Sequence, residues 1–364
     1  MRRRYFLGAA VAALGAGCAP AWADIAGHEP LCLTAGNRPD NSTFLIGLSL
    51  GGRVLFSHPL PGRGHAAAVH PDRAEAVAFA RRPGRFGLVI DCATGREIAR
   101  LETPEETHFY GHGAFTADGR FLLTTENAFD IPDGRIGIWD AEKRYTRVDD
   151  VASGGLGPHE IIRLASGAFA VANGGIRTHP AFPRAKLNLP DMMTGLAVLS
   201  ESGELLEDWR FDGSQPAAQQ GALPRNSIRH IAEDARGGIV AALQWQGDPR
   251  VAVPLAARFT PGHPPEVLDH PDTPALTHYA GSVAVAESGT IAVTGPKGGR
   301  VLFFDQSGRA AGSTALTEAS GVARAPEGLA ITCAGGLALA ADGDIRRVPV
   351  EGDWRWDNHL VRVG

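Results

Sequence analysis

Five histidines occupy matching places in a repeated sequence pattern, and imidazole is a side chain that can hold a metal ion. They are His65, His112, His159, His230 and His359. The first three are 47 residues apart, and each precedes a short apolar strand that ends at a turn with Asp, Asp-Gly or Ser-Gly. Neutral imidazole suits zinc, copper, iron and nickel. The spacing predicts that the five side chains converge if the repeats surround a common axis.

The repeat itself predicts the fold. Further copies begin at His230, Ser282 and Gly321, and most copies contain four short strands in about 40 to 50 residues, which is typical of a propeller blade. We predict an all-β, seven-bladed β-propeller. Three N-terminal strands and a C-terminal inner strand complete the seventh blade and leave no open sheet edge. These four segments are Leu31–Ala35, Thr43–Leu50, Arg53–His58 and Asn358–Val363.

The inner strands of a propeller line its central channel, so the first residues of these strands share one face. The repeat aligns the five histidines there, with Ser282 and Gly321 in the other two blades. We therefore expect a transition-metal site at the channel mouth. Two other interpretations remain open: the histidines are structural caps of the strands, or they bind a purely organic ligand.

Further polar side chains are expected around the mouth, because the loops after the second strands reach the same face. These loops supply Asn127, Asn173, Gln246 and Lys297. Four residues flank the ring positions and are candidates to orient imidazoles or hold an anion, namely Arg63, Tyr110, Arg229 and Tyr279. Glu126 and Glu160 are the carboxylates expected at this place.

An insertion at 176–194 interrupts the blade that begins at His159. It contains His179, Met192 and Met193, so it is a candidate lid that adds an imidazole or a thioether to the site. The alternative is a surface loop anchored by Pro180 and Pro183.

Residues 1–23 have the features of an export signal, with three arginines, an apolar run and an Ala-Trp-Ala ending. Arg3-Arg4-Tyr5-Phe6-Leu7 resembles the twin-arginine motif, although an ordinary secretory signal remains the alternative. We expect residues 24–364 to form one periplasmic domain. No later segment is long and apolar enough to span a membrane, and the net charge of -5 makes nucleic acid an unsuitable partner.

The predicted domain has three cysteines, Cys32, Cys92 and Cys333. Two interpretations are open: a disulfide between Cys32 and Cys333, which fall in strands near the two chain ends, or three buried thiols.

Several short motifs resemble a family of exported bacterial propellers known as domain of unknown function number fifteen-thirteen. The motifs are Gly111-His112-Gly113, Gly157-Pro158-His159-Glu160, Asn173-Gly174-Gly175-Ile176, Ser227-Ile228-Arg229-His230 and Asp357-Asn358-His359. The resemblance implies an architecture like that of WD40 and YVTN propellers. It also implies genes near imelysin-type and haem-containing periplasmic proteins linked to iron uptake. This context favours iron or copper over zinc as the metal. It also favours periplasmic iron-uptake proteins as partners.

Three functions are therefore compared. The leading hypothesis is a periplasmic propeller that binds a transition metal through His65, His112, His159, His230 and His359, with His179 on the lid, and takes part in metal uptake or handling. The second is a metal-dependent hydrolase that acts on a lactone or ester. The third is a protein-interaction scaffold in which the histidines are structural.

Overall fold

Seven blades surround a central channel, and each blade is an antiparallel sheet with its inner strand on the channel. The computed structural model describes residues 21–27, 29–81, 85–131, 133–182, 185–211 and 223–363. In chain order the strands are β1 (Leu31–Asn37), β2 (Thr43–Ser49), β3 (Val54–Leu60), β4 (Gly64–Val69), β5 (Glu75–Ala80), β6 (Gly87–Asp91), β7 (Glu97–Leu101), β8 (Thr107–Phe115), β9 (Phe121–Ala128), β10 (Asp133–Asp140), β11 (Thr146–Ala152), β12 (Pro158–Arg163), β13 (Phe169–Asn173), β14 (Thr194–Leu199), β15 (Leu205–Phe211), β16 (Asn226–Glu233), β17 (Ile239–Trp245), β18 (Ala256–Phe259), β19 (Glu266–Leu268), β20 (Ser282–Val285), β21 (Ile291–Gly295), β22 (Arg300–Phe304), β23 (Ala310–Ala315), β24 (Val322–Ala325), β25 (Gly328–Cys333), β26 (Gly336–Ala341), β27 (Asp344–Pro349), β28 (Arg355–Trp356) and β29 (Val361–Val363).

Blades 1 to 6 each use four consecutive strands, from β4–β7 in blade 1 to β24–β27 in blade 6. Blade 7 combines β1, β2 and β3 with β28 and β29 from the other end of the chain. The predicted seven-bladed propeller, closed by N-terminal strands and a C-terminal inner strand, is confirmed.

The closing inner strand is in two pieces. Strand β28 pairs with β1 at Gly36 and Asn37, and β29 pairs with β1 from Leu31 to Leu33. Between these pieces the chain leaves the sheet for residues 357–360. It stays attached because the Asp357 amide donates to the Ala35 carbonyl at 2.9 Å and Thr34 Oγ1 donates to the His359 carbonyl at 2.6 Å. This irregular segment carries Asp357 and His359 into the channel.

The core consists of apolar layers between neighbouring blades. Second strands such as β13, with the sequence Phe-Ala-Val-Ala-Asn, are buried at every position because a blade packs on each of their faces. Each of the seven contacts between blades has an apolar cluster of this kind in the described residues. Outermost strands such as β11 carry charged side chains instead, which protects their exposed edges from pairing with other chains.

In the part of the chain that the structure describes, helical structure is limited to short segments. These are the helix α1 (Trp22–Ala26) and the 3₁₀ turns Ala141–Lys143, Leu189–Asp191, Leu223–Arg225 and Thr273–Leu276. Among the described residues, none of these is long or apolar enough to cross a bilayer. The predicted export signal falls largely on residues 1–20, which lie outside the described residues. Trp22 packs between blades 7 and 1 and donates from Nε1 to the His70 carbonyl at 2.8 Å.

Cys32, Cys92 and Cys333 are buried and form no disulfide. Burial raises the pKa of Cys32 to about 12, so this thiol is neutral. Of the two interpretations of the cysteines, the structure shows buried thiols, and the disulfide between Cys32 and Cys333 is not formed.

Candidate metal centre

The ring histidines lie where the pairing of the inner strands is irregular. The register between first and second strands shifts between Gly64 and Ala67 in blade 1, between Phe109 and Gly113 in blade 2, and between Pro158 and Glu160 in blade 3. These bulges place one extra residue in the inner strand of blades 1 and 3 and two in that of blade 2, which re-aims the side chains. The irregularities therefore turn His65, His112 and His159 towards the axis.

A glycine permits two of these histidines to approach each other. Gly111, the residue before His112, has φ +102°, a conformation that residues with a Cβ rarely adopt. A Cβ at this position would also lie 2.7 Å from Cδ2 of His65. The Gly-His-Gly sequence is therefore a packing requirement of the site.

The structure brings all five imidazoles together. Each ring centroid lies between 4.2 and 5.8 Å from those of at least three others, and the closest pair is His65 with His359. His65, His112, His230 and His359 are buried, and His159 is partly exposed. The repeat thus locates the cluster correctly, although its members lie inside the channel and not at an open mouth.

The repeat predicts that the five histidines share one position in their strands, but the structure shows two different positions. His112, Glu160 and His230 each lie three residues before the last paired residue of their inner strand, whereas His65 and His159 lie four before it. The sequence alignment is therefore one residue out in blades 1 and 3. The consequence is chemical, because Glu160 takes a ring position of blade 3 and adds a carboxylate to the imidazoles.

A second carboxylate, that of Asp357, lies behind two of the histidines. Its Oδ1 is 3.1 Å from Nδ1 of His65 and 3.1 Å from Nδ1 of His359. Its Oδ2 accepts from Arg81 at 2.7 Å and from Arg63 at 3.3 Å. Burial opposes the charged form, but the hydrogen bonds from His359 and His65 and the charge of Arg81 hold the pKa of Asp357 well below its usual value. Asp357 is therefore ionised at neutral pH.

Glu160 spans the other pair of histidines more loosely. Its Oε1 lies 3.4 Å from Nδ1 of His112, and its Oε2 lies 3.6 Å from Nδ1 of His230. Oε2 also accepts a short hydrogen bond from the Ile231 amide at 2.6 Å. Burial would raise the pKa of Glu160, but the contacts with His112 and His230 hold it below its usual value.

Four of the five imidazoles, those of His65, His112, His159 and His359, are held in the neutral form that a metal requires. Burial lowers the pKa of His65 to about 3 despite the opposing effect of Asp357. Burial also lowers the pKa of His112, and that of His359 is well below its usual value because of burial and the neighbouring His65. For His159, burial and the charge of Arg229 have the same effect.

Several ring nitrogens are buried without a hydrogen-bond partner, namely Nε2 of His112, Nε2 of His359, Nδ1 of His159 and Nδ1 of His230. In His112 and His359 the other nitrogen, Nδ1, faces a carboxylate. A carboxylate on one nitrogen leaves the lone pair of the other nitrogen for a metal, and this arrangement is usual for histidine ligands. An unpartnered buried nitrogen is otherwise unfavourable.

Three groups of ligand atoms, each within 4.8 Å of one another, meet the geometric needs of a metal ion: His112, Glu160, His230 and His359; His65, His112 and His159; and His65, Asp357 and His359. Ligands on opposite sides of a metal lie about 4 Å apart, since metal–nitrogen bonds are about 2.1 Å long. The first group contains two histidines with unpartnered Nε2 atoms and one carboxylate, so its donors fit iron(II), copper(II) or zinc(II).

The candidate lid does not bring His179 to the ring. Its described contacts are with Asp130, 3.5 Å from Nε2, and with the rings of Phe129 and Phe182. Met192 is buried and Met193 is exposed. Arg184, another residue of this insertion, lies with Pro183 outside the described residues.

The same segment is nevertheless fixed to the propeller by residues that the sequence placed near the site. Tyr110 OH lies 2.9 Å from Oγ1 of Thr178, and Asn127 Nδ2 donates to the Thr178 carbonyl at 3.1 Å. Lys186 Nζ donates to Oε1 of Gln246 at 2.6 Å. Tyr110, Asn127 and Gln246 thus hold the loop and do not reach the imidazoles through any described contact.

Of the remaining candidates, Tyr279 comes nearest to the site. Its hydroxyl accepts from Nδ2 of Asn358 at 2.7 Å, and Lys297 Nζ lies 4.3 Å from its ring centroid. Asn173 is bonded to Ser153 in a contact between blades 2 and 3.

Glu126 lies outside the cluster, contrary to expectation. It is bonded to Thr124 and Arg147, at 2.8 and 2.6 Å, within blade 2. The pattern of alternating side chains explains the difference, because Glu126 points into the layer between sheets and not along the channel.

Asp357 and Arg81 are the site residues that the sequence reasoning missed. Asp357 stands two residues before His359 in a motif that the family resemblance already contained, so the motif was a usable signal. Arg81 offers no such signal, because it follows the second strand β5 in a loop whose direction the sequence does not specify.

The channel continues from the cluster to the opposite face of the propeller as a cavity of about 530 Å³. His112, Glu160, His230 and His359 form its inner end. We call the face at its outer end the turn face, because the hairpins after β4, β8 and β12 lie there, near Pro71, Thr116 and Arg163. The other face, with the described residues of 174–182 and 185–193, Gln246 and Lys297, is the lid face.

Comparison with solved structures agrees with the fold. The periplasmic gluconolactonase PpgL of Pseudomonas aeruginosa has a TM-score of 0.58 at 14% identity, and the similarity covers 92% of this chain and 99% of that one. A virginiamycin B lyase from Staphylococcus aureus has a TM-score of 0.55 at 11% identity, covering 84% and 92%. The RRP9 WD40 repeats have a TM-score of 0.50 at 15% identity, covering 95% and 98%. At these identities the similarity shows the fold alone.

A comparison with curated protein sequences gives no match. One protein-family model matches residues 58–363, which include the ring histidines, Glu160 and Asp357. This match covers most of the chain and bears out the resemblance of its motifs. The chain therefore belongs to the family described as "Protein of unknown function (DUF1513)".

Proposed function

We propose that this protein is a periplasmic metal-binding propeller that holds one transition-metal ion, iron or copper, in the histidine cluster and takes part in metal uptake or handling. The observation that carries the proposal is the pair of buried, unpartnered Nε2 atoms on His112 and His359, which come from different blades and belong with His230 and Glu160 to one group of possible ligands. The depressed pKa values support it, because the imidazoles of His112 and His359 need not lose a proton to bind a metal at neutral pH.

The residues of the chain have distinct tasks in this proposal. His112, His230, His359 and Glu160 supply ligand atoms, while Asp357 orients His359 and His65. The described cysteines are buried without any role as ligands, so the donors are nitrogen and oxygen. Such donors suit iron(II) and copper(II), and copper(II) is bound most tightly of the divalent first-row ions.

Elemental analysis of the chain purified from a periplasm tests the proposal. We expect about one iron or copper ion per chain, as is usual for a single closed site. The double variant His112→Ala/His359→Ala should lose the metal, whereas His270→Gln should keep it. His270 is a matched control because it is also buried but bonds to Gly312 and Asp272 outside the ring. A chain that contains no metal, and shows no thermal shift when iron(II), copper(II) or zinc(II) is added, contradicts the proposal.

A second function is favoured by one observation, the cavity that leads directly to Glu160 and three ring histidines. A metal held there would activate water against a lactone or ester in the cavity. The solved lactonase and lyase share this fold, which makes a lactone panel the natural assay. Turnover that disappears in the His112→Ala/His359→Ala variant would support hydrolysis, and metal binding without turnover of any lactone would count against it.

A further inference from the structure

The cavity on the turn face is positively charged at its outer end. Arg163, Arg324 and Arg362 line it, and they belong to blades 3, 6 and 7. Glu160, at the inner end, is the one acidic residue among its lining side chains. This local charge is opposite in sign to the net charge of -5 of the whole chain. The cavity therefore attracts anions although the protein as a whole repels them.

The wall of the cavity between its two ends is apolar and carries small side chains. Ala68, Ala114 and Ala323 are among the residues that line it, and small side chains leave room for a ligand. The volume of about 530 Å³ lies within the range of small-molecule pockets, roughly 300 to 1,000 Å³. An apolar wall with a few charged groups at its ends is the usual construction of such pockets.

The arginines of the two faces differ in their partners. On the lid side, Arg63 and Arg81 both pair with Asp357. On the turn face, Arg163 and Arg362 are exposed and form no ion pair with a described residue, and Arg324 uses only Nε to donate to the Val285 carbonyl at 3.0 Å. The remaining guanidinium groups on this face are free for a ligand. Guanidinium binds carboxylate through two parallel hydrogen bonds.

We propose that the cavity binds a small organic polycarboxylate that enters from the turn face. Its outer carboxylates pair with Arg163, Arg324 and Arg362, and its inner end reaches towards Glu160 and the ring histidines. Resting on the proposed metal site, this inference identifies the cargo as a metal–polycarboxylate complex. Binding requires no covalent step, because the carboxylates would exchange water for guanidinium, while the metal of the complex would exchange bound water for the imidazole and Glu160 donors.

Calorimetric titration with citrate tests this inference on the full chain, first metal-free and then loaded with iron. We expect citrate to bind both forms, more weakly at high salt, and glucose to bind neither. Arg163→Gln/Arg362→Gln should weaken citrate binding about a hundred-fold, because two charge-assisted hydrogen bonds are lost and each costs about one decade of affinity. Arg250→Gln is the matched control, since Arg250 is exposed and pairs only with Asp248 on the outer surface.

The outcomes separate the two proposals. If the chain binds iron but not citrate, or binds citrate equally well in Arg163→Gln/Arg362→Gln, the polycarboxylate inference is wrong and the metal site stands. If citrate binds the metal-free chain and the arginine variant loses it, the inference holds for the anion even where iron binding fails. Metal content of the arginine variant is measured alongside and should equal that of the unaltered chain.

Discussion

The two carboxylates of the cluster do similar work in different surroundings. Asp357 contacts two imidazoles at 3.1 Å, pairs with two arginines, and has a side chain only 1% exposed. Glu160 contacts two imidazoles at 3.4 and 3.6 Å, has no arginine partner among the described residues, and has a side chain 16% exposed. Asp357 is therefore a fixed group that orients histidines, whereas Glu160 can approach a metal as a ligand.

Replacing Asp357 should have the largest effect. Asp357→Asn removes a charge on which Arg81, His65 and His359 all depend, and breaking a buried pair from one side costs about 3 kcal/mol or more. We expect urea denaturation to show this loss in the metal-free chain.

The matching variant Glu160→Gln should behave differently. It should lower metal affinity about ten- to hundred-fold, the usual range for groups at a metal site, with a much smaller change in the free energy of unfolding. The side-chain oxygen of Gln can still accept the hydrogen bond that the Ile231 amide donates to Glu160. Equal losses of stability in Asp357→Asn and Glu160→Gln would refute the proposed difference between the two carboxylates.

The next effect is a pH dependence on the Asp357 side. Burial holds the pKa of His65 at about 3, below that of an unfolded histidine. Between pH 6.5 and 3 the folded chain therefore binds fewer protons at this position than the unfolded chain does. Stability is then fully present above pH 6.5 and declines towards pH 3, by about 2 kcal/mol at pH 5 for each imidazole that stays neutral. In the metal-free chain, His65→Gln should flatten this decline in denaturation curves measured between pH 7 and 5. An unchanged slope would show that His65 is protonated in the fold.

Glu126 provides the smallest effect and a control for both carboxylates. Burial raises its pKa to about 7 in spite of Arg147, so its ionisation destabilises the fold as the pH rises from about 4.5 to 7. Glu126→Gln should reduce that pH dependence. It should leave metal affinity within about two-fold of the unaltered chain, because residues that do not contact one another are only weakly coupled. A large loss of metal in this variant would mean that any buried carboxylate in this region affects the ring through folding alone.

The sequence predicted the blades and the histidine cluster because both depend on local patterns. Turn residues and apolar strands recur in each unit, and closure by the two chain ends follows from the strands left over. The repeat did not reveal the bulges at His65 and His159, since one extra residue changes the register without changing the pattern. Glu160 was therefore named as a candidate without its position in the ring.

Contacts between distant segments account for the other differences. Arg81 and Asp357 meet across the closure of the ring, and nothing in either local sequence indicates this. Glu126 and His179 stood near the site in the linear pattern, but strand alternation and the path of the 174–193 loop place them beside Arg147 and Asp130.

The divided inner strand of blade 7 has a consequence for synthesis. Strand β1 is made before the other six blades, yet its inner edge is paired by β28 and β29, which are made after them. Until β28 and β29 have been made, that edge is exposed to pairing with other chains. The segment between β28 and β29 carries Asp357 and His359. A chain that stopped before β28 would therefore lack both the closing strand and two members of the cluster, so the site can be complete only once the blade that closes the ring has been made.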